Sequence, residues 1–132
     1  MALNWLSLTE IWHLLQVLEA HGLDWSEARH EPDIVAARDA GYPLWEVVCL
    51  RSRTLGPQDS AALRAAAQRV TQIMDRDGLS AFESGLPEVL QSSISPYLAG
   101  GGRIVSLIRD ISAMEGTIRI VHEGARVQIV EE

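Results

Sequence analysis

The sequence predicts a single, mainly helical domain that ends in a β-hairpin, which is a small α+β fold. Three observations predict it: a length of 132 residues, apolar residues at helical spacing along several segments, and a strand–turn–strand pattern near the carboxyl end. Within this one domain (1–132) we expect a tryptophan-rich helical part (1–55), a helical part (59–115) and the β-hairpin (117–131).

The first predicted helix covers residues 7–21. Ser7 and Glu10 have the spacing of a capping box, in which each side chain accepts a hydrogen bond from the backbone N–H of the other residue. Gly22 directly follows the predicted helix, as is typical of a helix end. Apolar residues at three- and four-residue spacing form one wide face, and His13 falls on the opposite side. We expect the apolar face to pack in a core and His13 to be solvated.

Residues 44–53 are ambiguous. Val47, Val48 and Cys49 favour a strand, whereas Pro43 and the spacing of the apolar residues favour a helix, which is the expectation we adopt. The other predicted helices are bounded by proline, glycine or capping residues. They run from Pro32 to before Gly41, over 60–77 with Asp59 as the N-cap, from Pro87 to before Pro96, and over 103–115.

The hairpin is predicted from strands at 117–121 and 126–130. With Glu123 and Gly124 as a two-residue turn, Ile120 faces Val127 and Ile118 faces Ile129. An isolated two-stranded hairpin is marginally stable because its edges and its apolar face are uncovered. We therefore predict a homodimer, since cyclic dimers are the commonest closed assemblies. The candidate interface residues are Trp5, Trp12, Ile118, Ile120, Val127 and Ile129.

The basic residues exclude several enzyme classes. All eleven are arginine, and the chain has no lysine. A phosphate-binding loop that ends in Gly-Lys-Ser/Thr and a Schiff-base lysine both need an amine, which the permanently charged guanidinium cannot replace. ATP-driven and pyridoxal-dependent reactions are therefore excluded on this reasoning.

Other chemistry-bearing residues give no catalytic pattern. Cys49 is the single cysteine, lies among apolar residues, and is expected to be buried and inert. Glu10 and His13 have the Glu-x-x-His spacing of a di-iron helix, but no second such pair occurs. The acidic run over 24–33 matches no calcium loop and is expected to be solvated. We predict no catalytic residues, no metal and no cofactor, although a small enzyme or metal-binding protein remains an alternative.

One candidate anion site lies near the triple glycine. Gly100, Gly101, Gly102 and Arg103 precede or open a predicted helix, whose free backbone N–H groups and guanidinium attract negative charge. A flexible connector is the simpler interpretation, because no GxGxxG pattern or preceding strand accompanies the glycines.

The order of helices 60–77, 87–95 and 103–115 followed by a hairpin resembles the winged helix-turn-helix family of DNA-binding domains, over about half of the chain. This resemblance implies a DNA-reading helix with Arg103 and Arg109 and a wing with Arg119 and Arg126. A formal charge of −7, divided as −4 over residues 1–66 and −3 over residues 67–132, opposes nucleic-acid binding. A DNA-binding regulator is therefore the alternative and not the leading prediction.

The leading functional prediction is a non-catalytic protein–protein interaction or oligomerisation module, such as an adaptor or an assembly subunit. Its expected partners are another protein and a second copy of the chain. The first basic residue is Arg29 and no apolar run reaches the length of a membrane span, so we expect a cytoplasmic protein without a membrane segment.

Overall fold

A computed structural model describes residues 5–98 and 102–132 and confirms a small α+β fold with a carboxyl-terminal antiparallel hairpin. The elements follow one another as β1 (Leu6–Ser7), α1 (Leu8–Ala20), a short 3-10 helix (Ala28–His30), α2 (Pro32–Asp39), α3 (Leu44–Cys49), β2 (Arg53–Thr54), α4 (Pro57–Asp77), α5 (Leu79–Ser84), α6 (Glu88–Leu98), α7 (Arg103–Ala113), β3 (Ile118–Glu123) and β4 (Arg126–Glu131).

The hairpin is the centre of a four-stranded antiparallel sheet in the order β1-β4-β3-β2. Leu6 pairs with Val127 on one side, and Arg53 pairs with Ile120 on the other. Two-residue strands have no detectable apolar period, so the sequence did not reveal them. The chain thus covers part of both hairpin edges itself.

The predicted hairpin register is wrong by two residues. Ile120 pairs with Ile129, and His122 pairs with Val127, so the turn is Gly124-Ala125. Gly124 has a φ of +61° while Ala125 has a negative φ, which fits a type II′ turn with glycine at its first central position. The predicted turn would have required the positive φ at Glu123. A shift of two residues leaves the same side chains on the same face.

The inner face of the sheet forms part of the core. Ile118, Ile120, Val127 and Ile129 are at most 2% exposed. Helix α1 packs against β1 and β4, and α3 packs against β3, so the chain's own helices cover this face. The reason for placing these four residues at a dimer interface therefore does not hold.

Helix α1 lies at the centre of the molecule and contacts the sheet as well as α3, α4, α6 and α7. The predicted capping box is confirmed: the N–H of Glu10 donates to Ser7 Oγ, and the N–H of Ser7 donates to Glu10 Oε1, both at 3.1 Å. The prediction for His13 is wrong, since its side chain is 3% exposed. A helix with neighbours on several sides buries residues outside its main apolar face.

The amino end of α4 differs from the prediction. The helix begins at Pro57, and Asp59 lies inside its first turn and does not cap it. The Glu27 carboxylate caps α4 from a distance, because it accepts hydrogen bonds from the N–H groups of Gln58 and Asp59 at 3.1 and 3.0 Å. Asp59 in turn accepts hydrogen bonds from the N–H groups of Glu27 and Ala28 at 3.1 and 2.7 Å. The two carboxylates thus connect the 3-10 helix to α4.

The ambiguous segment 44–53 contains the expected helix, α3, followed by the start of β2. Helix α6 continues to Leu98, past the predicted end before Pro96, and α7 ends at Ala113, two residues before the predicted end. A proline near the end of a helix removes only one intrahelical hydrogen bond, so the terminal turn is still formed.

Candidate functional site

Three of the four arginines predicted to bind DNA contact carboxylates of the protein itself. Arg109 forms an ion pair with Asp75 at 2.9 Å, and Arg103 forms one with Glu10 at 3.3 Å. Arg126 pairs with Glu123 at 2.8 Å and lies over the Trp5 ring, 4.3 Å from its centre. Arg119 is exposed on β3.

The candidate anion site is only partly described. Gly100 and Gly101 lie outside the described residues, Gly102 caps α7, and the Arg103 guanidinium is directed to Glu10. A cleft of about 650 Å³ lies beside it and is lined by Trp5, Arg126, Glu10 and Glu123 among others. Its two arginines are each paired with a carboxylate, so the cleft has no excess positive charge from these residues.

The two reactive side chains Cys49 and His13 are buried in the fold. Burial raises the pKa of the Cys49 thiol to about 12, so the thiolate is not formed at neutral pH. Burial also lowers the pKa of His13, which favours the neutral imidazole. Among residues 5–98 and 102–132, no cluster of three or more His, Cys, Asp or Glu side chains has the arrangement of a metal site.

The acidic run after α1 is tied to the fold, contrary to the expectation of a solvated loop. Asp24 pairs with Arg29, and Glu31 pairs with the nearly buried guanidinium of Arg53. Asp33 contacts Arg53 at 3.2 Å. Partial burial opposes ionisation of Asp33, but the hydrogen bond and charge of Arg53 outweigh it and hold the pKa of Asp33 below its ordinary value.

A groove of about 300 Å³ lies between α1 and the beginning of α6, and we call it the α1/α6 groove. It is lined by Trp12, Gln16, Glu19, Ala20, Pro87, Val89 and Leu90. The four α1 residues recur at a spacing of four and then three or four, so they follow one face of that helix. Pro87 precedes the first turn of α6, from which Val89 projects.

The α1/α6 groove combines apolar walls with an acidic group. Val89 is 88% exposed, against 55% for Tyr42 and 41% for Val35, the other large apolar side chains that the described residues expose. Trp12 is half-buried and Leu90 is 8% exposed, so these two residues form the wall and floor. Burial raises the pKa of Glu19.

Of the groove residues, only Trp12 was predicted from the sequence to lie at an interface. The spacing of Leu86, Leu90 and Ile94 indicates the buried face of α6, and all three are buried. Val89 lies next to that face in the helical pattern, so the apolar spacing predicts that it is also buried. Only the packing of α6 on α1 separates the exposed valine from the buried leucines.

A second groove, of about 320 Å³, lies between α2 and α3 with Tyr42 and Leu50 among its lining residues. Its charges are mixed, since Asp33 and Glu46 are accompanied by Arg51.

Comparisons with protein families, with curated proteins and with solved structures find no match for this chain. No helix in residues 5–98 and 102–132 is both long and apolar enough to cross a bilayer.

Proposed function

We propose that the protein is a non-catalytic protein-interaction module and that the α1/α6 groove is its partner-binding surface. The exposure of Val89 beside Trp12 and Leu90 carries this proposal. A large apolar side chain that is almost fully solvated, at the rim of an apolar groove, gains free energy when a partner covers it.

The surroundings of the other reactive groups support a binding role. The thiol of Cys49 is buried, and His13 is enclosed in the core, so neither group is accessible to a substrate. Arg103, Arg109 and Arg126 neutralise nearby carboxylates, which reduces their attraction for phosphate. These contacts favour a protein partner over the DNA-binding alternative.

Site-specific photo-crosslinking in the source cells tests the proposal. A photoreactive amino acid replaces Ala20, which lines the groove, and in a matched control it replaces Ala36, an exposed alanine on α2. We expect a defined protein to be crosslinked from position 20 and not from position 36. The crosslink should be lost with Val89→Ser and retained with Val35→Ser, a second exposed valine on another surface.

Equal crosslinking from positions 20 and 36, or a crosslink that survives Val89→Ser, would refute the proposed surface. Both valines are exposed, so neither substitution should reduce folding. Thermal unfolding of each variant provides this check.

Self-association is also proposed, but through different residues from those that first suggested it. The hairpin face is buried, whereas Trp5 and Trp12 are only half-buried. A homodimer would therefore bury Trp5, which lies outside the α1/α6 groove, and leave the hairpin unchanged. Light scattering coupled to size exclusion should then give twice the chain mass of 14.5 kDa. A single-chain mass at high micromolar concentration would refute the homodimer.

A further inference from the structure

The negative charge of the chain is concentrated in the two segments that form the α1/α6 groove. All eleven arginines lie within residues 29–76 and 103–126. Residues 1–28 and 77–102, which contain α1 and α6, have seven acidic residues and no arginine or lysine. The remaining eleven acidic residues balance the eleven arginines, so these two segments account for the whole net charge of −7.

Some of these carboxylates are used within the fold. Glu10, Asp24 and Asp77 pair with Arg103, Arg29 and Arg76, and Glu27 caps α4. Glu19 and Glu88 form no ion pair with an arginine in the part of the chain that the structure describes. Glu19 lines the groove, and Glu88 is exposed immediately before Val89. The groove therefore has an apolar surface with uncompensated negative charge at its margins.

On the basis of the proposed function, we infer that the occupant of the α1/α6 groove is a basic amphipathic helix of a partner protein. Its apolar face would contact Trp12, Val89 and Leu90. Its lysine or arginine side chains would approach Glu19 and Glu88. This mode of recognition needs only an apolar groove and complementary charge, and the occupant brings its own hydrogen-bonded backbone.

The nature of the walls favours a helix over an extended segment. The groove is lined by side chains of α1 and of the beginning of α6, and no strand borders it. The backbone N–H and C=O groups of an extended segment would lose their hydrogen bonds to water in the groove. No strand edge is present there to replace those bonds. A helix satisfies those groups internally.

Charge also disfavours a second copy of the chain that packs groove to groove. A twofold contact at this surface would place Glu19 and Glu88 near their own counterparts, which is repulsive. A basic partner removes this repulsion and gains attraction.

Synthetic peptides of about 15 residues, long enough for four helical turns, test the inference. The first peptide has leucines at i, i+3, i+4 and i+7 with lysines on the flanking positions. The second has glutamates in place of the lysines, and the third has the first peptide's composition in scrambled order. Titration calorimetry measures each affinity for the intact protein at low and at physiological salt.

We expect the lysine peptide to bind about tenfold or more tightly than the glutamate peptide, with an affinity that falls as salt increases. The scrambled peptide should bind weakly, because its apolar residues do not share one face. Val89→Ser should weaken the lysine peptide about tenfold, and Val35→Ser should not. The double variant Glu19→Gln with Glu88→Gln should lose most of the salt dependence of lysine-peptide binding. The matched double variant Glu46→Gln with Glu115→Gln has the same net charge and should retain it.

The outcomes separate this inference from the proposed function. If the glutamate peptide binds as tightly as the lysine peptide and both require Val89, the basic character of the partner is refuted while the groove remains the binding surface. Equal binding of the scrambled peptide, or no binding of any peptide, overturns the helical occupant. Crosslinking from position 20 tests the groove without reference to any peptide.

Discussion

Single side chains connect parts of this chain that are far apart in sequence. Glu27 and Asp59 are 32 residues apart, yet each carboxylate accepts hydrogen bonds from backbone N–H groups beside the other. The first N–H groups of a helix have no intrahelical partner, so a carboxylate that binds them stabilises the helix. Gly56 is required for this contact, because a Cβ at position 56 would overlap the Glu27 carboxylate.

Gly56→Ala should therefore displace Glu27 and lower the free energy of unfolding by about 1–2 kcal/mol, the usual cost of losing a helix cap. Gly85→Ala is the matched control, since a Cβ there lies 3.5 Å from the nearest backbone oxygen. Urea unfolding measures both variants. In a Glu27→Ala background the Gly56→Ala substitution should have almost no further effect, and full additivity would contradict the account.

His13 gives a prediction for the dependence of stability on pH. Its folded-state pKa lies below the ordinary value of 6.5, because burial disfavours the charged imidazole. The unfolded chain therefore takes up a proton more readily as the pH falls below 6.5. The contribution of neutral His13 to the free energy of unfolding should be fully present above that pH. It should decrease as the pH falls through the folded-state pKa.

His13→Gln should reduce this decrease between about pH 7 and pH 5.5, a range above the titration of Asp33. Urea midpoints measured across this range test the prediction. The same decrease in wild type and His13→Gln would contradict it.

The residue scale also indicates what a sequence can and cannot predict. The Ser7/Glu10 capping box was predictable because both partners lie in one turn. The Glu27 cap was not, because it joins segments whose approach depends on the whole fold. The groove follows the same rule: Trp12 was identified, but the exposure of Val89 depends on how α6 packs on α1.

At the scale of elements, the hairpin depends on its buried face and on the turn. Ile129 is 2% exposed, and the next residue, Val130, is half-exposed on the opposite face. Because side chains alternate between the two faces of a strand, the residues on the inner face of the sheet could be predicted from the sequence. The pairing register of the two strands could be determined only from the structure. The flanking strands are too short to show a pattern, and their pairing was found only in the fold.

Ile129→Ala should lower the free energy of unfolding by about 2–5 kcal/mol, because it leaves a cavity in the core. Val130→Ala should cost less than about 1 kcal/mol. Chemical unfolding of the two variants provides the comparison. Similar costs for both would show that the inner face of the sheet is assigned incorrectly.

Across the whole molecule, the distribution of charge favours protein binding over DNA binding. Arg103, Arg109 and Arg126 are paired with carboxylates, while the α1/α6 groove lies between segments without any arginine or lysine. The division of the net charge between the two halves of the sequence conceals this difference, because each half contains one arginine-free segment. Only the packing of α1 against α6 brings those segments together.

This distribution predicts no binding of duplex DNA stronger than a nonspecific micromolar background at physiological salt. Fluorescence anisotropy with labelled duplexes measures it. A submicromolar affinity that Arg109→Ala and Arg126→Ala both weaken would favour the winged-helix alternative instead.

Hydroxyl-radical footprinting of the purified complex shows whether a protein partner covers the α1/α6 groove. We expect Trp12 and Val89 to become protected from oxidation when the partner is bound. Tyr42, which is 55% exposed on another surface, should be oxidised equally in the free and bound protein. Unchanged oxidation of Trp12 and Val89, together with protection of Tyr42, would refute the proposed binding surface.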